Sequence, residues 1–535
     1  MIRQEIKKIT EKALKELHFV VGEVKLEHPE DKIHGDYATN VAMVVAKTAK
    51  KNPIEIAEEI KYKIQDTPKE SKLPTGQAKY KILERVEVVK PGFINFFVSK
   101  EYLQKQVEEI LKKGNRFGSL KIGKGKKVNV EFISANPTGP LTLGNGRGGF
   151  CGDVLTNVLL KAGYKAEREY YVNDTGVQVR KLGHSVIGGS EAVYQGRYIE
   201  ELRKKIKGEN PDKVGEKAAK EILEKMIRPA VKKMGIKYNT WFSEKSLYRK
   251  KETDKALDYL KKKKLTYEKE GALWFKSTKF GDDKDRVLIK ADGQSAYFLS
   301  DIAYLKNKFR RGFEKLIFFW GADHYGYINR LKGAAAALGY NKERIDIVII
   351  QLVKLYRGGK EVRMSKRAGI YITLDELIDE VGLDVARFFF LARASNSHLN
   401  FDLSLAKERS EKNPVYYVQY AHARICSILK KSKIQNPKSK IQNLKLLNHP
   451  SEFNLIKQLI RLPEIIEDTA KDYQVQRLPQ YVIDLATSFH QFYRDCRVIS
   501  DNKELTKARL ALVLATKIVL KSALDLMGIS APEKM

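Results

Sequence analysis

The chain has little of what marks several whole classes of protein. Among 535 residues there are three cysteines, Cys151, Cys426 and Cys496, too scattered for a zinc knuckle or a disulfide framework. No run approaches the roughly 18 apolar residues of a membrane span. The N-terminus, MIRQEIKKITEKALKEL, is amphipathic and mixed in charge, unlike the charged-then-apolar plan of a signal peptide. The expectation is a cytoplasmic protein with no membrane segment and no structural metal. One further absence is local. The stretch SANPTGPLTLGNGRGG, Ser134 to Gly149, has the glycines and asparagines of a phosphate-holding loop, yet it carries no histidine and no charged group before Arg147.

Hydrophobic residues make up 43% and charged residues 31% of the chain, a balance that excludes pervasive disorder. The length exceeds what one core usually serves, so two to four domains are expected. Lys+Arg number 100 against 66 Asp+Glu, a net charge of +34. Such an excess fits a polyanionic partner, most often nucleic acid; a generally lysine-rich composition is the plainer alternative.

Residues 1–113 read as a small α+β domain. Helical periodicity opens it, strand-like KILERVEVVK and PGFINFFVSK follow, and a helix runs from Tyr102 to Lys113. Within it HGDYATN, from His34, and PGFINF, from Pro91, read alone as turns. Over 121–400, beyond the basic linker KIGKGKK, strands alternate with helices, the pattern of βαβ units and a parallel sheet. VNVEFIS alternates Val128, Val130 and Phe132, and REYYVND, KLIFFWGADH and IDIVIIQLV read as further strands. A lysine-rich stretch, 198–264, reads as a helical insertion with solvated charge. Residues 402–535 read as helical: Asn413 and Pro414 suit an N-cap and first turn, and Val415, Val418, Ala421 and Ile425 mark one face. The near-repeat SKIQNPKSKIQN reads as a polar loop. The fold class is thus multidomain, α/β plus all-α.

Placed after a strand and opening a helix, the Ser134–Gly149 loop offers backbone N–H groups and the positive helix end to an anion. Gly144 and Gly146 allow a nucleotide close to the backbone. By itself this loop fits a structural turn equally well. A second loop, GGKEVRMSKRAG from Gly358 to Gly369, follows a buried strand and could close a lysine on the phosphates.

Taken together, SANPTGP, LGNG, YYVND, GADH and RMSKRAG resemble the catalytic domain of class I aminoacyl-tRNA synthetases, specifically the arginyl-tRNA synthetases. HGDYATN and PGFINF resemble that family's N-terminal domain, NPVYYVQYAHAR the start of its helical anticodon-binding domain, and LMGISAPEKM its ending. The resemblance implies a Rossmann-like catalytic domain and ATP-dependent attachment of arginine to its tRNA through an arginyl-adenylate, with Mg2+ accompanying ATP. Thr142–Asn145 stand where the family's HIGH-type tetrad stands, so Thr142 and Asn145 replace two histidines. Arg363–Arg367 stand at the KMSKS-type loop, in which Lys366 keeps the phosphate-stabilising lysine. The catalytic set expected from the resemblance is therefore Lys366, Thr142 and Asn145.

For ATP the expected residues are Pro137, Gly139, Gly144, Gly146, Gly321, Asp323, His324, Met364, Ser365 and Lys366. Asp323 suits a ribose ligand or, equally, a helix cap. For arginine, whose guanidinium needs carboxylates and placed acceptors, the matching positions are Asn136, Glu244, Tyr297 and Asp301. For tRNA, Tyr416, Tyr420 and Arg424 recur every four residues and could stack on splayed bases, although Tyr416 fits a core position as well. The partners implied are ATP, L-arginine and the tRNA for arginine, met by a monomer. A non-catalytic tRNA-binding paralogue is the competing reading; the missing histidines favour it, and the joint retention of Lys366, Glu244, Tyr297 and Asp301 opposes it.

Overall fold

The computed structural model describes residues 1–65, 80–362, 372–432 and 443–535. In the N-terminal domain, strands β1 (Tyr37–Thr39), β2 (Leu83–Val89) and β3 (Phe93–Val98) form an antiparallel sheet in the order β1-β3-β2. The two short patches meet here: Tyr37 pairs with Phe96 and Ala38 with Asn95. The helix Lys100–Lys113 starts where the Ser99 side chain accepts from the Tyr102 N–H at 3.3 Å. This domain docks on the C-terminal helices. The buried Glu464 carboxylate accepts from the Tyr37 hydroxyl at 2.8 Å and lies 2.9 Å from His28 Nε2, and Arg3 pairs with Glu467 and Asp468.

The catalytic domain is built on β4 (Lys127–Glu131), β5 (Lys165–Val172) and β6 (Thr240–Ser243), after which a separate antiparallel sheet of β7 (Thr266–Lys269), β8 (Ala272–Phe275) and β9 (Arg286–Ile289) precedes β10 (Lys315–Gly321) and β11 (Ile345–Ile350). The large sheet runs β11-β10-β4-β5-β6, and all its pairings are parallel. β6 corrects the reading of 198–264 as wholly helical. Its four residues, TWFS, are too short a run to show among lysines, but Trp241 and Phe242 pair directly with Tyr170 and Tyr171 of β5.

From β4 the chain winds outward to β6, then returns to β10 on the other side of β4. The crevice beyond the carboxyl ends of β4 and β10 is therefore the topological switch point, where open α/β sheets bind ligands. Past β11, β12 (Val353–Arg357), β13 (Lys360–Val362) and β14 (Leu399–Asp402) make a small mixed sheet.

β4 has no solvent face. Val128 and Val130 are buried on one side as the alternation predicts, and Asn129 and Glu131 are buried on the other. The helix Tyr297–Arg310 covers that second side with Lys308, which has no exposure. Its ammonium bonds to Asn129 and lies 2.7 Å from Glu131 and 3.1 Å from Glu169, the β5 neighbour of Glu131. Arg311 adds a 2.8 Å bond to Glu169. Burial opposes charge on Glu169, but Lys308 and Arg311 outweigh it and bring that carboxyl down to about 2. Two adjacent buried carboxylates are tolerable only with such partners.

The C-terminal domain packs Val415, Val418, Ala421 and Ile425 of the helix Pro414–Lys431 inward, with Asn413 capping Val415 N–H at 3.0 Å. Its last helix, Lys503–Met527, returns to the catalytic domain. There the buried Arg387 donates to the carbonyls of Met527 and Met234, both at 2.7 Å, and pairs with Asp153. No helix among the described residues is long and apolar enough to cross a membrane.

Candidate active site and nucleic-acid interface

A cleft of 690 Å³ opens at the switch point. Of the expected site residues, Asn136, Gly139, Asn145, Gly321, Asp323 and His324 line it together. Asp323 is open to solvent and caps no helix, because Gly321 occupies the N-cap of the 3-10 turn that follows β10. The ribose reading of Asp323 thus loses its competitor. Pro137 is buried. Met364, Ser365 and Lys366 lie outside the described residues.

The first loop leaves β4 through two left-handed residues, Ile133 (φ 64°) and Ser134 (φ 39°). For a β-branched residue this conformation costs on the order of 1–3 kcal/mol and persists only where surroundings enforce it. Ser134 supplies the enforcement: its hydroxyl accepts from Tyr171 N–H at 3.0 Å and donates to Glu131 at 3.3 Å. Through Glu131, the strained turn rests on Lys308.

Thr142 is the N-cap of the loop helix Leu143–Lys161. The Asn145 carbonyl oxygen accepts from both the Thr142 N–H (3.0 Å) and the Thr142 hydroxyl (2.9 Å). The two side chains that stand in place of the histidines are therefore not equivalent. The Thr142 proton is already committed, and it orients the Asn145 amide nitrogen for donation. Gly146 is a second correction. A Cβ there would come within 2.6 Å of Leu374, so its missing side chain serves helix packing, whereas Gly144 faces open space. Arg147 does not reach the cleft. Fully buried, it donates to the carbonyls of Gln351 (3.0 Å), Ser397 (2.7 Å) and Ala394 (2.8 Å), pinning the loop helix to the end of β11.

Beside the cleft the structure gathers Glu244 and Asp301, 57 positions apart in sequence, with Tyr297 one turn before Asp301. Glu244 is 2% exposed; burial and the neighbouring Asp301 charge push its carboxyl up to about 7, against hydrogen bonds that favour the charge. Burial likewise raises Asp301 to about 6, although it accepts from the Tyr327 hydroxyl. With its nitrogen turned toward Thr175 O (2.8 Å), the Asn173 amide also donates to Glu244 at 2.9 Å. Tyr297 is half exposed, its hydroxyl accepting from Val177 N–H at 3.2 Å. A buried and a part-buried carboxylate, both held against their preference for water, are an environment suited to a cation.

Several wall residues escaped the sequence reading. Glu131, Ser134 and Tyr171 line the cleft, and Tyr194, Gln195 and Tyr198 cover it from the segment after Gly189. The Tyr198 hydroxyl donates to Thr138 O at 3.0 Å. YYVND did mark the β5 end, but nothing in it distinguishes a cleft tyrosine from a core one.

On the C-terminal domain, Tyr416 and Tyr420 are parallel, with ring centroids 6.3 Å apart, and Arg424 lies 4.8 Å over Tyr420. Tyr416 is half-buried on this ladder, beside the core stripe and not in it. A second helix, Arg477–Asp495, extends the ladder with His490, 6.1 Å from Tyr420, and Tyr493, 4.9 Å from Arg424. Stacked rings with an arginine on one face are the kind of surface on which nucleic-acid bases stack.

Three sequence families match the chain in order: the arginyl tRNA synthetase N terminal domain over 1–98, the class I (R) tRNA synthetase catalytic domain over 189–397, and the DALR anticodon binding domain over 418–535. An arginine–tRNA ligase of Caldanaerobacter subterraneus is 46% identical across 100% of this chain and 99% of that protein. One of Bacillus subtilis is 44% identical across 100% and 98%. The Thermus thermophilus arginyl-tRNA synthetase structure shares the fold, with a TM-score of 0.78 over 100% of both chains at 22% identity. Cleft, carboxylates and aromatic platform therefore sit in a chain that belongs to the arginyl-tRNA synthetases, class I enzymes that use ATP to charge tRNA with arginine in translation.

Proposed function

We propose that the switch-point cleft holds ATP and that the adjoining Glu244, Asp301 and Tyr297 hold the arginine side chain, with Asn136 reading its α-groups. The observation that carries this reading is the pair of carboxylates, Glu244 buried and Asp301 part-buried, whose charge desolvation disfavours, set beside a cleft floored by a glycine loop. A guanidinium is always charged and presents a planar fork of donors, so it supplies the ion-pair partner that neither carboxylate has among the described residues.

In the first step an oxygen of the arginine carboxylate attacks the α-phosphorus of ATP, and pyrophosphate leaves. In the second, a hydroxyl of the terminal tRNA ribose attacks the adenylate carbonyl, and AMP leaves. No covalent bond to the enzyme forms, so the rate comes from positioning and charge stabilisation. Asn145 donates from its amide, the loop helix presents its positive end, and Lys366 supplies the cationic contact. The neutral amide gives about half the strength of a charge-assisted donor, which shifts weight onto Lys366. Asp323 takes the ribose. Magnesium enters on the phosphates of ATP. The Tyr416–Tyr420–Arg424 platform and the N-terminal domain hold the tRNA, and the enzyme acts as a cytoplasmic monomer.

The test is arginine-dependent aminoacylation of transcript tRNA, run beside pyrophosphate exchange with and without tRNA. Charging is expected, with exchange only when tRNA is present, as in an induced-fit site. Exchange as fast without tRNA would remove the induced-fit element. Lys366→Ala is expected to slow adenylate formation by about 10²–10³ with tRNA affinity kept; equal losses in both would place Lys366 on the RNA path.

A further inference from the structure

Around the cleft, the hydroxyls of the other tyrosines are engaged. Tyr304 donates to Glu131 and Glu169, Tyr327 to Asp301, Tyr170 to Ala135 O at 2.9 Å and Tyr238 to Phe132 O at 2.8 Å. Tyr171 differs. Its hydroxyl is buried and completes no well-formed hydrogen bond among the described residues, although Glu244 is its neighbour. A buried hydroxyl left unmade is destabilising, so its retention calls for a reason.

The ring position is not accidental. Side chains alternate along β5, so Tyr171 shares a face with Glu169 and lies opposite to Tyr170. Its backbone N–H is fixed by Ser134, and its ring lies between Phe242, 6.2 Å away and near-parallel, and Tyr304, 4.5 Å away. The two flanking rings thus leave it little freedom. The hydroxyl end sits among the carboxylates of Glu244, Asp301 and Glu131. It is near enough to Glu244 to favour the charged carboxylate. Tyr171 also lines the cleft, so the same side chain touches both the nucleotide space and the acidic cluster.

We propose that Tyr171 is a specificity-determining residue of the amino-acid pocket, whose phenolic oxygen accepts an N–H of the arginine guanidinium while its own proton turns toward Glu244. The inference rests on the reading that Glu244 and Asp301 take the guanidinium. A tyrosine hydroxyl both donates and accepts, which matches a position between a carboxylate, which only accepts, and a guanidinium, which only donates. Bringing in the substrate satisfies a cleft hydroxyl that the described residues leave without a hydrogen bond. A side chain ending in a single ammonium cannot fill this fork-shaped acceptor set in the same way.

The test is Tyr171→Phe, which keeps the ring stack and removes one oxygen, assayed beside Glu244→Gln with tRNA present. For Tyr171→Phe the KM for arginine is expected to rise about ten-fold or more, with the KM for ATP within two-fold of wild type. An unchanged KM for arginine, or an equal rise for ATP, overturns the assignment. Glu244→Gln separates the two levels. If it raises the arginine KM and Tyr171→Phe does not, only Tyr171 is misassigned; if neither does, the guanidinium pocket lies elsewhere. A lower melting temperature of Tyr171→Phe leaves the readout intact, because loss of folded enzyme lowers the maximal rate and neither KM.

Discussion

Replacing Glu244 by glutamine should make the empty enzyme more stable and a worse enzyme, in a way that depends on pH. Glu244 is almost fully buried, and its carboxyl is raised from the ordinary 4.5 to about 7. A carboxyl raised on folding binds more protons in the native state than in the unfolded one, so stability falls as pH rises between those two values. Below about pH 4.5 the wild-type side chain is neutral in both states and no penalty exists. Above pH 7 it is charged in both, and the full penalty stands, about 3 kcal/mol at 1.36 kcal/mol per pKa unit. Glutamine is nearly isosteric with the neutral acid and carries no such penalty. Thermal unfolding without ligand should therefore show Glu244→Gln close to wild type at pH 5 and several degrees higher at pH 8. Saturating arginine should raise the wild-type midpoint most at pH 8 and the variant's hardly at all, since the cation that offsets the buried charge has lost its partner. A midpoint difference equal at both pH values, or an arginine-induced shift that survives the substitution, would refute the reasoning.

Because Thr142 acts through Asn145, Asn145→Ala should slow adenylate formation by about 10²-fold and Thr142→Val by less. The double variant should be no slower than Asn145→Ala alone in single-turnover assays, and additive losses would show that Thr142 contacts ATP independently. Tyr420→Ala should weaken tRNA binding by about 1–3 kcal/mol and leave tRNA-free ATP binding as it was. Wild-type tRNA affinity should fall steeply with salt, and a flat filter-binding response would remove the role given to the +34 net charge. Lys308→Met should destabilise the fold by about 3–5 kcal/mol, as breaking one side of a buried ion cluster does. Glu169 lies near 2 when folded, below its ordinary 4.5, so its stabilisation is complete above about pH 4.5 and is lost as pH falls toward 2. Wild-type melting curves should lose ground over that interval, and Lys308→Met curves much less.

The parts of this molecule legible from sequence are those set by local pattern. The alternation of VNVEFIS gave β4, Asn413–Pro414 gave a helix start, and the glycine loop gave the helix N-terminus at the cleft. What escaped depends on what packs against what. Nothing in β4 alone tells that Asn129 and Glu131 face a lysine instead of water. β6 is four residues inside a charged stretch, and its strand pairing comes from β5. Gly146 reads as a nucleotide glycine until Leu374, from 228 positions away, is seen against it. Glu244 and Asp301 were reached only through family resemblance, because no spacing rule joins side chains from separate elements. Tyr171 was missed although its motif was quoted, since the feature that singles it out is an unmade bond. His490 and Tyr493 were missed for the same reason as β6: they join the aromatic ladder from another helix.

Gly528 shows how far the catalytic loop's dependence extends. It stands in a left-handed conformation (φ 65°) just past the last helix, and a Cβ there would meet Arg387 Nη2 at 2.6 Å. Arg387 in turn holds Asp153 of the loop helix. A single methyl group near the C-terminus would thus press on the helix whose first turn faces the cleft. Gly528→Ala is therefore expected to lower the melting temperature of the whole enzyme, through both the left-handed backbone and the displaced guanidinium. The tail SAPEKM that follows is tied to both halves, Ser530 N–H donating to Asp384 at 3.0 Å and Pro532 O lying 2.9 Å from His422 Nδ1, so trimming it removes contacts on each side.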